Sequence, residues 1–261
     1  MIANQRSDTI LCSAGKGEMT RGECLMCAKE NRQTCGFDYI LIKAILDDKE
    51  RTGIHVTDLT GCLRKAWYTK TTTAPEYIHT QMYKLIGNIA HSVLEHAGEE
   101  DEAEIPVFSL GLEGKMDVYR NGRIIDFKSS RWLTPSNLPY GSHELQVNIY
   151  AEMLRQNGKA VRSAAIQYID MSGPTKCRKC KVVYLPNEAG ELSCPKCGKS
   201  SDEAHTGAVL IEIPLRSSAE IKALIEERRD KLNKALEANE MPSAEPSFLC
   251  EYCPFVEICT I

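Results

Sequence analysis

Cysteine sets the limits on what this 261-residue chain can become: it has twelve, and they divide into three sets of four. One set is Cys12, Cys24, Cys27 and Cys35. A second is Cys177-x2-Cys180 with Cys194-x2-Cys197, and the third joins Cys62 to Cys250-x2-Cys253-x5-Cys259. Zn²⁺ and iron–sulfur clusters both take four thiolates, and a C-x2-C pair lets one tight turn aim two sulfurs at a single ion. The arithmetic closes with no cysteine over, so three metal centres are expected. Disulfides would need an oxidising compartment, and the opening MIANQRSDTI has neither the apolar core nor the cleavage site of a secretory signal. No stretch reaches the length of a membrane span. The expectation is therefore a cytoplasmic protein with no membrane part, in which cysteine doublets mean metal. Spacing alone does not separate zinc from iron–sulfur.

Hydrophobic residues make up 43% of the chain, an ordinary globular fraction with room for one sizeable core and small metal-stapled appendages. The formal net charge of −4 excludes a chain that is basic overall. Locally, base gathers at Arg64, Lys65 and Lys70, at Lys115, Arg120, Arg123 and Arg131, and at Lys176, Arg178, Lys179 and Lys181; acid gathers at Glu99, Glu100, Asp101, Glu102 and Glu104. Such patches can draw in a polyanion despite the total. They permit DNA without requiring it.

The order of elements is legible from periodicity. FDYILIKAILDDKE has helical spacing, and Thr57 and Asp58 suit the N-cap of a helix carrying Cys62 and Trp67. Leu85, Ile86, Ile89, Ala90, Val93, Leu94 and Ala97 define a helix with a broad apolar face. A strand at Val107 to Leu110 precedes a hairpin over 113 to 129 turned at Asn121-Gly122, the preferred pair for a type I′ turn. SHELQVNIYAEMLRQNG predicts a helix closed by Gly158. AAIQYID and GAVLIEIPL read as strands on either side of the CRKC…CPKC insertion, and a charged helix over about 218 to 238 leads to the last cysteines. Mixed strands and helices predict an α/β or α+β core.

Counting outward from Asn121-Gly122 sets Asp117 opposite Asp126, with Lys128 on the same face as Asp126. Opposed carboxylates repel unless something positive lies between them. A divalent cation answers that need, and a lysine two residues along would place an ammonium beside whatever the cation binds. This is an arrangement for phosphodiester hydrolysis. The same pattern also suits an ordinary hairpin whose lysine pairs with either aspartate. On the following helix, Gln146 falls inside the apolar stripe of Leu145, Ile149 and Met153, with Tyr150 one turn later; a polar residue there calls for a buried partner or a ligand. His91 lies off the apolar stripe of its own helix.

In chain order, GNIAHSVLEH, GKMDV, IIDFKSS and QVNIY resemble the motifs of RecB-like nucleases in the PD-(D/E)xK superfamily. GCLRKAWY with the terminal CEYCPFVEIC is similar to the four-cysteine iron–sulfur site of the Cas-four family, the CRISPR-associated RecB-like exonucleases. The likeness spans about residues 55 to 261 apart from the insertion. It implies an α/β fold with a restriction-endonuclease-like core, a mixed central sheet flanked by helices. The likeness adds an iron–sulfur clasp to it, and the cysteine spacing adds two small zinc-binding appendages. It implies that His91, Asp117, Asp126 and the backbone carbonyl of Phe127 bind Mn²⁺ or Mg²⁺, that Lys128 is catalytic, and that Gln146 and Tyr150 line the active site. By the same likeness Cys62, Cys250, Cys253 and Cys259 hold a [4Fe–4S] cluster.

The expected organisation is a four-cysteine module over 1–36, a nuclease domain over 37–261, and a zinc-ribbon-like insertion over 173–206 within it. Zinc is expected at Cys12, Cys24, Cys27 and Cys35 and at Cys177, Cys180, Cys194 and Cys197, in structural sites. These two modules depart from the family pattern. The expected activity is DNA end processing for CRISPR spacer acquisition, as a single-strand 5′→3′ exonuclease, with DNA and CRISPR integration proteins as partners. A phage or mobile-element recombination exonuclease would carry the same site. A non-enzymatic metal-stapled DNA-binding scaffold would leave the opposed aspartates without a use.

Overall fold

The structure is a computed structural model and describes residues 9–30, 32, 35–46, 52–72, 76–97, 103–131, 133–183, 192–200 and 205–259. The acidic run from Glu99 to Glu102, the end of the predicted helix at 47–50 and the middle of the insertion lie outside the described residues. The chain divides into two compact units, 1–92 with 227–261, and 93–226.

In the first unit, β1 (Thr9–Leu11) pairs antiparallel with β2 (Glu18–Thr20), which runs into α1 (Arg21–Lys29). Thr20 and Glu23 form a reciprocal capping box that fixes this helix start. Cys24 and Ala28 of α1 pack with Ile10 and with Ile42 and Ile45 of α2 (Tyr39–Leu46), so one metal-ligand candidate is also a core residue. The predicted helix over Cys62 is broken in two: α3 (Val56–Thr60) stops at Gly61, whose backbone is extended, and Cys62 becomes the N-cap of α4 (Leu63–Thr71). Gly is a poor helix former, and Asp58 caps from the third position instead, taking the His55 N–H at 2.9 Å. A short β3 (Glu76–Tyr77) joins β1 in parallel and leads into α5 (Ile78–Ala97). Of the apolar face predicted for α5, Leu85 packs against the Ile42 core, together with Met82, while Ile89 and Val93 stay exposed.

The second unit is built on a five-stranded mixed sheet, in order β4 (Ala103–Ser109), β5 (Leu112–Arg120), β6 (Arg123–Ser130), β7 (Ser163–Asp170) and β8 (Ala208–Ile213). Only β6 and β7 run parallel, and the connection between them is α6 (Gly141–Gln156), which packs across β4, β6 and β7. The Asn121-Gly122 turn is as predicted, with φ of 51° and 79°. A Cβ on Gly122 would meet the Ala160 carbonyl oxygen at 3.1 Å, so that turn also needs the missing side chain. The strand before it differs from expectation. Leu110 and Gly111 both have positive φ and make a second two-residue turn, so β4 and β5 form a hairpin of their own. Leucine is a poor residue for that conformation, and only Gly111 marked the turn in the sequence.

α6 is buried from Gln146 through Leu154, polar side chains included. Asn148 accepts the Arg216 N–H at 2.8 Å, and Glu152 accepts from Ser218 and Gln156 at 2.7 Å each, pinning the segment that leads to α7 (Ser218–Ala238). The chain that follows α7 returns to α4 within the first unit. Arg64 Nε donates to the Pro242 carbonyl at 2.8 Å, the Tyr68 hydroxyl to that of Ile258 at 3.0 Å, and Tyr68 stacks on Phe255 with centroids 5.2 Å apart. Among the described residues no helix is long and apolar enough to cross a membrane.

Candidate active site

One face of the sheet in the second unit collects ionisable side chains. The β5–β6 ladder pairs Val118 with Ile125, Tyr119 with Ile124 and Arg120 with Arg123, the register counted from the turn. Beyond Val118 the Asp117 side chain reaches across β6 and accepts the Phe127 N–H at 2.5 Å. Asp126 is 2% exposed, and the Lys128 ammonium lies 2.8 Å from its Oδ2. On the other side of β5, Ala103 faces Val118 and Ile105 faces Met116, which sets Glu104 opposite Asp117. Glu104 has a left-handed φ of 53°, uncommon for a non-glycine residue and a form of strain that collects at functional sites. Its carboxylate is paired with the Lys115 ammonium at 2.5 Å.

Carboxylate oxygens of Glu104 and Asp117 lie within 4.8 Å of each other. Mg²⁺ or Mn²⁺ takes oxygen ligands at about 2.0–2.1 Å in an octahedron, so oxygens across the ion stand about 4 Å apart. Glu104 and Asp117 fit one such ion. Glu104 is the residue that sequence reasoning passed over, because it reads as the end of an acidic run. The Leu110-Gly111 turn was the signal that would have registered it against Asp117.

α6 closes over this face. Gln146 is buried, its Nε2 3.5 Å from the Tyr150 hydroxyl, and that hydroxyl donates to the Lys115 carbonyl at 2.9 Å. Burial, with the charges of Asp126 and Asp117, pushes the Tyr150 hydroxyl up to about 12, so it keeps its proton. The polar residue in the apolar stripe thus has a partner, and that partner stands near both aspartates. Two further groups on this face, Tyr168 and His143, carried no signal in the sequence. Lys128 and Tyr168 are neighbours in the parallel register of β6 and β7, and the Tyr168 hydroxyl meets His143 Nδ1 at 3.1 Å. His91 lies half-buried on α5, in the first unit. Phe127 follows Asp126 on β6.

The three cysteine sets behave differently. Cys177, Cys180, Cys194 and Cys197 place all four sulfurs within 4.8 Å of one another, with Cys177 and Cys197 at 3.7 Å. Bonds of about 2.3 Å in a tetrahedron put zinc thiolates about 3.8 Å apart, so the quartet fits one ion. The Cys180 N–H donates to Cys177 Sγ at 3.4 Å, which pulls the Cys177 thiol down, toward the thiolate a metal needs. Neither other set closes to that spacing among the described residues. Cys24 lies near Cys12, Cys27 and Cys35, and burial, then their charges, pushes its thiol up to about 11. In the third set, an Arg64 guanidinium nitrogen lies 3.8 Å from Cys259 Sγ.

Among solved structures the chain is similar to one described as "Crystal structure of SSO0001", at 21% identity over 85% of this chain and 94% of that one, with a TM-score of 0.49. No curated protein matches the sequence. The profile of the PD-(D/E)XK nuclease superfamily matches residues 99–260. That span is more than half of the chain and runs through every strand bearing the acidic residues, with Asp126-Phe127-Lys128 spelling the D-x-K of the name. On a match of that extent, this chain belongs to the PD-(D/E)XK nuclease superfamily.

Proposed function

We propose that this chain is a divalent-metal-dependent DNA exonuclease, acting on single strands with 5′→3′ polarity, that trims DNA ends for capture into CRISPR arrays. The observation that carries the nuclease reading is the buried Asp126 with Lys128 at 2.8 Å, on a strand inside the superfamily match. Polarity, strandedness and the CRISPR setting, with integration proteins as partners, rest on the resemblance of the motifs and terminal cysteines to the Cas-four family.

Glu104, Asp117 and Asp126 would hold the metal, with His91 and the Phe127 carbonyl as further donors. The ion, when bound, polarises the phosphate and lowers the pKa of a bound water. In the hydrolysis, water adds to phosphorus and the bond to the leaving oxygen breaks. One proton of the water ends on the leaving alcohol and the other on the new phosphate monoester. Lys128 stabilises the charge that grows on the phosphate oxygens, and Asp126 holds its ammonium in place. Tyr150, anchored on Lys115, and Gln146 wall the site.

Zinc held by the Cys177 quartet would serve as a structural staple, and the same role is proposed for zinc at the Cys12 set by its four cysteines alone. A [4Fe–4S] cluster on Cys62, Cys250, Cys253 and Cys259 would act as a clasp, supported by the tail contacts of Arg64 and Tyr68. End-labelled single- and double-stranded DNA, incubated with anaerobically purified protein and Mn²⁺ or Mg²⁺, tests the reading. Cleavage should need the metal and fall by a factor on the order of 10² or more in Asp126→Ala and Lys128→Ala. Full cleavage by both variants, properly folded, would refute it.

A further inference from the structure

The active-site face holds a three-ring cluster that the reaction as described does not use. His143, in the first turn of α6, places Nδ1 3.1 Å from the Tyr168 hydroxyl, and the same hydroxyl accepts the Tyr140 N–H at 3.3 Å. Tyr140 packs edge-on to His143 with centroids at 5.4 Å, and the Tyr168 ring lies 5.8 Å from the imidazole. Tyr168 is fully buried and sits beside Lys128 in the sheet. His143 lies three residues before Gln146, on the same side of α6.

These contacts assign the protons. Burial, aided by the charge of Asp126, pushes the Tyr168 hydroxyl up to about 12, so it stays a donor. Its oxygen already takes the Tyr140 N–H, which leaves its own proton for His143 Nδ1. An imidazole that accepts at Nδ1 carries its hydrogen on Nε2. Burial, and then the charge of Lys128, pushes His143 down to about 4, so the ring is neutral at ordinary pH. Among the described residues Nε2 has no hydrogen-bond partner. The cluster thus presents a neutral, oriented N–H donor near the ammonium that serves the phosphate. A second cation there would repel Lys128, whereas a neutral donor adds a hydrogen bond without that penalty.

We propose that His143 is a further substrate-binding residue, its Nε2–H donating to a phosphate oxygen of the DNA strand at the site of Lys128, with Tyr168 as the positioning residue that holds this tautomer. The inference rests on the nuclease reading. Its test has two readouts on the full-length protein. Nitrogen-15 NMR of the histidine rings should find His143 as the Nε2–H tautomer at neutral pH, with both tautomers populated in Tyr168→Phe. Steady-state cleavage of a single-stranded oligonucleotide should show kcat/KM roughly tenfold or more lower in His143→Phe, which keeps the ring packing and loses the donor. His143→Gln, with an amide donor, should recover most of that loss, and Tyr168→Phe should cost roughly two- to fivefold. If His143→Phe does not fold, the glutamine and Tyr168→Phe variants and the tautomer decide. An Nδ1–H tautomer in the wild type, or unchanged kcat/KM in a folded His143→Phe, would overturn the contact while cleavage lost in Asp126→Asn kept the nuclease reading intact. No cleavage by the wild type would overturn both.

Discussion

The Cys177 quartet and the acidic face of the sheet lie in one unit and both suit a metal, yet they are built in opposite ways. The quartet draws its ligands from two short turns of like design. Cys177 and Cys194 each accept an N–H four residues on, from Lys181 and Gly198 at 2.8 Å, and each of those residues has a positive φ. Among the described residues little apolar side chain surrounds it: Cys177 and Cys194 are themselves the buried core, with Val182 and Leu192 against them. The acidic face takes its groups from β4, β5 and β6, held by ladders and by α6 whether or not an ion is present. Where the ion is most of the core, it should decide the local fold; where the sheet is the core, it should decide chemistry and little else.

The largest expected effect tests that division directly. Structural zinc binds small four-ligand modules with an apparent free energy of about 10–16 kcal/mol, and the fold of such modules depends on it. Stripping zinc, or making Cys194→Ser, should expose the insertion to protease and to amide exchange while β4 to β7 and α6 stay protected. Cleavage should survive, because Asp126 and Lys128 are held by the sheet. An insertion that stays protected without zinc would break the comparison.

The acidic face should respond to its own metal by a smaller amount. An ion that binds only the folded chain stabilises it by about 2.7 kcal/mol at a hundredfold excess over Kd. Mn²⁺ should therefore raise the melting temperature of the wild type but not of Asp117→Asn or Glu104→Gln, since each removes a proposed ligand. Without Mn²⁺ these variants should melt within a few degrees of the wild type, as opposed carboxylates repel when nothing lies between them. A metal response equal in Glu104→Gln and wild type would remove Glu104 from the site.

The same contrast explains what the sequence could and could not disclose. The quartet was legible because its ligands are neighbours in the chain and a C-x2-C spacing has few other uses. The Asp117/Asp126 register was legible because Asn121-Gly122 names its turn. Glu104 was hidden by a turn at Leu110, a residue whose side chain argues against the conformation it adopts. His143 and Tyr168 meet only because β6 and β7 are parallel neighbours with α6 laid over them, a relation between distant segments that no local period encodes. Asn148 and Glu152 show the limit of pattern reading on α6: both are fully buried, and each has a partner beyond β8, Arg216 for Asn148 and Ser218 for Glu152.

A smaller effect separates support from chemistry on the acidic face. Tyr150→Phe removes the hydroxyl that donates to the Lys115 carbonyl and meets Gln146. Losing one such buried bond costs about 1–2 kcal/mol, readable in a urea titration, and the Mn²⁺ shift should persist because Tyr150 supplies no ligand. A lost Mn²⁺ response would mean that the ring holds the carboxylates in place, and the face would then be less independent of its covering helix than the comparison asserts.

The smallest effect lies in the turns of the quartet. Lys181 has φ 59° and Gly198 φ 68°, so equivalent positions in two like turns are filled by a residue that pays a steric penalty and one that does not. The left-handed conformation costs an ordinary side chain roughly 1–2 kcal/mol, partly offset by the greater entropy glycine loses on folding. Lys181→Gly should thus tighten zinc by at most about 1 kcal/mol, and Gly198→Ala should weaken it by a similar amount. A Cβ on Gly198 would meet nothing within 4 Å, so any loss there is backbone strain alone. Competition with a chromophoric chelator can read both. Opposite signs at the two positions would show that the turns themselves set the metal affinity; no change at either would mean that the four sulfurs close on the ion regardless of how the backbone presents them.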